Sequence, residues 1–398
     1  MNAPTYSPEA GSERPSGALG VHEADQPASR STRALRVVVV GGTGNYGGYV
    51  ARSLADDPAI QLIITGRSTD TARAAAEALR AHNSAEAGTY DLAGPPEALA
   101  ALRPDLVINA VGPYHDQGYA VARAAIGCRA HYCDFADARE FVCGIGVLDG
   151  QAKAAGVAVI AGASSIPALT AAYCDEAVGD GVTIDTIECG ISGAQQSNQG
   201  VGTAAGALHY VGERFTRLKS GAMHPVTGWS DSHRVAIPTL GHRWFANANA
   251  PDLELFKQRY PGLKEHAFYA GHEIALLHFA TRLLGTLRSL RLLPRLDRLA
   301  STLVRLSQRF NGLGRGESAL FMHIWGITPD GAPYFKRHFI IVRDGMGPYI
   351  PCIPVVHIAK QLSVGGVIEA GARPCLGLIS LKHYKTQLAL LNVEVIDQ

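Results

Sequence analysis

No two of the chain's seven cysteines are spaced as Cys-x-x-Cys; Cys128, Cys133, Cys143, Cys174, Cys189, Cys352 and Cys375 are scattered through apolar or strand-like sequence. That excludes a disulfide scaffold and reads as the reduced thiols of a cytosolic protein. An uninterrupted apolar run of spanning length is also missing, so a soluble, cytoplasmic chain is expected. Residues 1–33 hold no apolar run and therefore cannot be a secretory signal; rich in Pro, Ser, Gly and charge, they are expected to be a disordered tail. A net charge of +1 gives no global attraction for nucleic acid, and no nucleic-acid motif is present, so no such partner is expected. Two catalytic patterns also fail. His272-Glu273 meets its next histidine only at His278, which breaks His-Glu-x-x-His and implies no metal. Tyr260 and Lys264 have the Tyr-x-x-x-Lys spacing of short-chain reductases, but Pro261 and Gly262 break the helix that would align them.

What is present is a globular composition, 47% hydrophobic and 18% charged over 398 residues, enough for two domains. From Ala34 to about Leu169, short apolar runs alternate with alanine-rich helical stretches, the rhythm of an α/β fold with a parallel sheet. Strands are expected at Leu35–Val40, Gln61–Thr65, Thr89–Leu92, Leu106–Ala110, Arg129–Asp134 and Val157–Ala161, with helices starting near Tyr46, Asp70, Pro95, Gly118 and Gly146. Six strands with crossovers make a doubly wound Rossmann domain. After Asp175 the pattern changes to longer, antiparallel-looking strands in "TIDTIECGIS" and in "SALFMHIWGI" and "PYFKRHFIIV" around the turn "TPDGAP". Helical pattern is read at Val201–Leu218, Glu273–Phe310 with a break at Pro294, Ile353–Leu362 and Cys375–Leu391.

The segment "VVVVGGTGNYGG" places Gly42-x-Gly44-x-x-Gly47 directly between the first strand and the first helix, the context of a dinucleotide fingerprint. Gly42 permits the turn, Gly44 admits a pyrophosphate to the backbone, and Gly47 lets helix and strand pack; Thr43, Asn45 and Tyr46 complete the loop. No acid follows the second strand to hold a ribose 2′-OH. Arg67 and Ser68 stand there instead, suited to the 2′-phosphate of NADP. Asp91 and Leu92, at the end of the third strand, lie where an adenine would rest, although Asp91 equally fits a helix cap. Val111, Gly112 and Pro113 close the fourth strand with small residues where the nicotinamide ribose would pass.

Hydride transfer needs an acceptor held at the nicotinamide and a proton donor near it. Tyr114 and His115 follow the fourth-strand loop and are the candidates; the alternative makes Tyr114 a packing aromatic and His115 an exposed residue. Asp134 and Asp137 follow the fifth strand, as site residues or as helix caps, and Ser164 and Ser165 read as capping residues. Residues 275–310 carry seven arginines against the single acid Asp297, with leucines at helical spacing. That pattern fits either a core-packing face with solvated arginines opposite, the reading preferred here, or a membrane-surface helix pair.

"VVVVGGTGNYGG", "ITGRS", "VINAVGPYHDQGYAVARAAIGCRAHYCDFAD", "VAVIAGASSIPALT" and "GARPCLGLISL" together resemble the saccharopine dehydrogenase-like family of NADP-dependent oxidoreductases, densely over 34–175 and thinly afterwards. The resemblance implies an NADP-binding Rossmann domain (34–175), an inserted α+β substrate and dimerisation domain (176–370) and a return segment packing on the first domain (371–398). It also implies a homo-oligomer and a small-molecule substrate. Members reduce an imine or run the reverse reaction, so hydride transfer to a C=N bond, or to C=C or C=O, is expected. Some relatives resemble enoyl reductases acting on lipid-like chains. No cluster of Arg and Lys in the second half matches the carboxylates of saccharopine, which argues against saccharopine itself. A non-catalytic nucleotide-binding module is the reading from another class.

Overall fold

Four consecutive valines make Leu35–Val40 (β1) a strand buried on both faces, as a central parallel strand must be. A computed structural model of the chain describes residues 33–79, 82–197, 200–343, 345–391 and 393–398; the expected tail, residue 33 apart, lies outside them. Around β1 stand Ile60–Gly66 (β2), Glu86–Thr89 (β3), Leu106–Asn109 (β4), His131–Asp134 (β5) and Ala158–Ala161 (β6). The connecting helices are Asn45–Leu54 (α1), Thr69–Ala78 (α2), Glu97–Ala101 (α3), Ala120–Gly127 (α4), Arg139–Gly144 (α5), Asp149–Ala155 (α6) and Thr170–Gly179 (α7). The third strand is displaced from its expected place at 89–92. β3 pairs in parallel with β2 from Ile63 to Gly66, so it ends where β2 ends, and Asp91 and Leu92 fall in the loop beyond.

The second domain is richer in strands than its sequence advertised: Thr183–Gly193 (β7), Arg214–Lys219 (β8), Ala222–Thr227 (β9), His233–Ile237 (β10), Gly241–Asn247 (β11), Glu265–His272 (β12), Ser318–Ile327 (β13) and Pro333–Val342 (β14). Its helices are Gly200–His209 (α8), Asp252–Arg259 (α9), Ala275–Ser289 (α10) and Ala300–Ser307 (α11), followed by Ile353–Ser363 (α12), which packs on α1 and β1, and Leu381–Leu390 (α13), which packs on α7. The helix expected over 201–218 therefore ends at His209, and the one expected from Cys375 begins at Leu381. Two further strands, Gly371–Pro374 (β15) and Glu394–Asp397 (β16), complete the chain.

The first sheet runs β3-β2-β1-β4-β5-β6-β15, with every pairing parallel. Its order reverses between β1 and β4, and open α/β sheets bind their ligands in the crevice at such a switch point. The second sheet runs β10-β11-β12-β7-β13-β14-β16. It is mixed rather than antiparallel throughout, because β12 runs parallel to β7. The last segment thus divides: β15 extends the first sheet beside β6 and β16 the second beside β14.

Residues 275–310 pack partly as expected: Leu296 is buried with Val211, Trp229 and Ala246, and Leu284, Leu293 and Leu303 pack against that cluster. α10 buries His278, Gly285 and Arg288, while Leu276, Phe279, Leu283 and Leu290 are exposed. Arg288 is drawn inward because its guanidinium donates to the carbonyls of His209 and Val211 at 2.5 and 2.7 Å and pairs with Glu213. It caps the C-terminal end of α8, where the helix dipole favours a cation. Among the described residues no helix is long and apolar enough to cross a membrane.

Candidate functional site

The glycine turn shows why side chains are excluded at each position. A Cβ on Gly47 would lie 2.3 Å from the Gly41 carbonyl oxygen and 2.7 Å from the Gly42 Cα, so α1 and the turn are in backbone contact. One on Gly42 would meet an Ile64 methyl at 2.9 Å. Gly44 is different: its only close neighbour would be the Gly41 oxygen at 3.2 Å. Gly44 is exposed and is the N-cap of α1, with no side-chain cap hydrogen bond. Protein packing thus explains Gly42 and Gly47, whereas the open side of Gly44 is the cradle that a pyrophosphate fits, at the positive end of α1.

The surrounding loops converge on this turn. A Cβ on Gly66 would touch Thr43 at 3.0 Å, which sets exposed Arg67 and Ser68 beside the glycine loop. Asp91 is exposed, and its carboxylate accepts from the Ala93 N–H at 3.0 Å, an Asx turn after β3; Leu92 is half-buried next to it. On the other side a Cβ on Gly41 would strike the Val111 side chain at 2.5 Å. Gln117 braces the loop, donating to the carbonyls of Val111 at 2.6 Å and Pro113 at 3.0 Å.

Sequence reasoning missed the roof. The small residues of α8 lie across the crevice: a Cβ on Gly200 would meet the Asn45 amide at 3.1 Å, one on Gly202 the Gly112 carbonyl oxygen at 3.2 Å, and one on Gly206 the Asp137 carboxylate at 3.7 Å. The signal was in "GVGTAAGALH", since glycines cost a helix stability and are kept where another surface approaches.

Tyr114 and His115 part company. The Tyr114 hydroxyl is buried and donates to the Asn109 carbonyl at 2.8 Å, while the ring packs on Phe141, so this residue buttresses the end of β4. His115 is not exposed. Its side chain is 3% accessible and its Nε2 lies 3.3 Å from Asp116 and 3.4 Å from Asp297. Its ring stacks on His209 at 3.8 Å. Arg295 binds Asp297 and Asp116 and donates to Nδ1 of His209 at 3.0 Å. Burial together with His115 and Arg295 pushes the His209 pKa down, which fits a neutral ring accepting at Nδ1. Burial would raise the Asp297 carboxyl, but Arg295 and His209 hold it well below the usual carboxylate range.

Two acids after β5 have distinct settings. Asp134 is buried; one oxygen accepts from the N–H groups of Ala136 at 2.9 Å and Gly162 at 2.8 Å, while the other has no hydrogen-bond partner among the described residues. Burial pushes its pKa up to about 6 against those donors. The folded state therefore binds this proton more tightly than the unfolded chain, and the associated stability is full below pH ~4 and lost as pH rises through about 6. Asp134→Asn is expected to remove that dependence and to melt higher than wild type at pH 7.5, by up to about 3 kcal/mol. Denaturant melts of both proteins between pH 4 and 8 check it. Asp137 is reached by solvent, makes no side-chain cap on α5, and has its pKa raised by the surrounding protein, with His115 opposing. Ser164 stands at an N-cap without a side-chain hydrogen bond, and Ser165 is buried.

The strand order, the glycine cradle and the polar cluster beside it define an NAD(P)-dependent oxidoreductase. Over residues 37–160 the sequence matches the model of the saccharopine dehydrogenase NADP binding domain. No curated protein matches the sequence. Among solved structures, apo saccharopine dehydrogenase (L-Glu forming) from Saccharomyces cerevisiae is similar over 92% of this chain and 99% of its own, at 14% identity and a TM-score of 0.64. Homospermidine synthase from Legionella pneumophila, in complex with NAD, is similar over 92% of this chain and 91% of its own, at 10% identity and a TM-score of 0.53. At these identities the likeness is one of fold, and it extends over both domains.

Proposed function

We propose that the chain is an NADP-dependent reductase of a carbon–nitrogen double bond, acting on a small molecule in a reducing, cytoplasmic compartment. The observation that carries the bond type is Asp137, a solvent-reached carboxylate under α8 beside the His115 cluster. A carboxylate there stabilises a cationic iminium and has no comparable use for a neutral enoyl group. NADPH supplies the hydride when bound. Gly44 admits its pyrophosphate, Arg67 and Ser68 hold the 2′-phosphate, and Val111 to Pro113 border the nicotinamide ribose. Asp137 orients the positive nitrogen, His115 exchanges a proton with it, and Asp116, Asp297, His209 and Arg295 fix the imidazole. All seven cysteines are free, in keeping with the compartment. Purified protein titrated with NADPH and NADH, then mixed with imines formed from oxo acids and amines, tests the reading through loss of nicotinamide absorbance. Oxidation by enoyl thioesters alone would transfer the site to lipid-like substrates, and tight binding without turnover would make the chain a nucleotide-binding module. Arg67→Ala should weaken NADPH by about 1–3 kcal/mol, the scale of a lost charge-assisted hydrogen bond, and leave NADH unchanged; calorimetry with both nucleotides decides.

A second feature supports a place at membranes. Leu276, Phe279 and Leu283 form an exposed apolar stripe, and Arg282, Arg291, Arg298 and Arg305 are exposed alongside. An isologous dimer through this face would set arginines against arginines, whereas an anionic bilayer complements both the charge and the apolar stripe. Sedimentation with vesicles containing phosphatidylglycerol should carry the protein down at low salt and release it at high salt. Retention in the supernatant with anionic lipid defeats this reading.

A further inference from the structure

We propose that Cys189, Asp252 and His266 form a buried site for one divalent transition metal ion, with zinc the ion their donor set fits. Cys189 in β7 stands opposite Phe268 of β12, and His266 of β12 opposite Ile187 of β7. The two residues are therefore diagonal neighbours on one face of the sheet. Asp252, the first residue of α9, completes the group: the thiol sulfur, a carboxylate oxygen and a ring nitrogen all lie within 4.8 Å of one another. The three residues come from three elements and are 0–1% exposed.

Their hydrogen bonding leaves this side open. Thr170 donates to Asp252 Oδ2 at 2.7 Å, but among the described residues Asp252 Oδ1 and both ring nitrogens of His266 have no hydrogen-bond partner. The Cys189 thiol has only a long contact, 3.9 Å, to the Ala267 carbonyl. Protein interiors keep few such orphans, and a carboxylate oxygen and one ring nitrogen that converge with a thiol call for an ion or ordered water. Charge separates those two. A thiolate and a carboxylate carry two negative charges, which a divalent cation cancels, so the loaded site is neutral and compatible with burial. Sulfur and imidazole with a single carboxylate favour zinc over magnesium or calcium. Thr170 orients the carboxylate and Phe256, stacked on His266 at 5.2 Å and 6°, orients the ring, the outer-shell support that metal ligands use. Arg139 and Arg217 act on His266 from nearby, but Arg139 is paired with Glu254 at 3.0 Å. The histidines and Asp297 of the crevice offer similar donors, yet there the Arg295 guanidinium already supplies the cation.

The ion would staple β7, β12 and α9 inside the second domain. To test this, the full chain is purified without an affinity metal from zinc-supplemented medium and measured by plasma mass spectrometry. About one zinc per chain is expected, together with a fall in Tm on prolonged chelation under reducing conditions. Refolding the stripped protein with cobalt should give a thiolate-to-cobalt charge-transfer band that Cys189→Ser abolishes, and Asp252→Asn should lower the metal content. Metal content near zero, with a Tm indifferent to chelator, overturns the proposal even if a variant fails to fold. A cobalt spectrum identical in wild type and Cys189→Ser overturns it as well.

Discussion

Gly44→Val is expected to abolish nucleotide binding and leave the fold standing, whereas Gly47→Val should damage the fold itself. The Cβ at position 44 would meet a single atom, the Gly41 oxygen at 3.2 Å, and that contact relaxes with small shifts. Its branched methyl groups would enter the open side of the turn, where the pyrophosphate must reach backbone N–H groups. Loss of two charge-assisted hydrogen bonds, about 1.5–3 kcal/mol each, predicts a rise in Kd for NADPH of about 100-fold or more. At position 47 the opposing atoms, 2.3 and 2.7 Å away, belong to the backbone of Gly41 and Gly42. No rotamer relieves that overlap, so β1 and α1 must separate at a cost of about 1–3 kcal/mol or more. Thermal melts and calorimetric titration of the two variants distinguish the roles. Wild-type NADPH affinity in Gly44→Val would remove the pyrophosphate from this loop, and a wild-type Tm in Gly47→Val would contradict the packing.

Local signals made one half of this architecture legible. Four valines before a glycine turn, and alanine-rich stretches between short apolar runs, are written in neighbouring residues, and the first sheet follows from them. β3 was misplaced because "TYDL" resembles a strand more than "EAGT" does, yet the hydrogen bonds available along β2 end at Gly66. The helix expected over 201–218 runs into β8, whose residues alternate charged and apolar; the hairpin to β9 turns at Ser220-Gly221, with both φ values positive at 49° and 79°, a turn that Ser-Gly favours. The polar cluster was beyond reach. His115, His209 and Asp297 belong to separate regions of the chain, and only the passage of α8 over the crevice and the turn before α11 bring them together. Tyr114 failed for a related reason: its place after β4 is the same whether its hydroxyl points to a ligand or back to Asn109, and the backbone carbonyl decides it.

Asp137→Asn should slow imine reduction about 100-fold in kcat/KM while NADPH affinity stays unchanged and Tm does not fall. The substitution is isosteric and the side chain is reached by solvent, so little packing is lost, but the fixed negative charge that complements an iminium goes, an effect of about 2.7 kcal/mol in sites of this kind. The protein around Asp137 raises its pKa, and only the ionised form complements the cation. The wild-type kcat/KM should therefore climb with pH as Asp137 ionises, and the variant should lack that ascending limb. His115→Gln keeps a donor toward Asp297 but cannot titrate; it should lower turnover by about 100- to 10,000-fold and preserve the limb that belongs to Asp137. A rate unaffected by both substitutions would separate this polar cluster from the chemistry. An ascending limb lost in His115→Gln and kept in Asp137→Asn would reverse the two roles, because whichever residue must be unprotonated to receive the substrate is the one whose removal flattens the acid side of the profile.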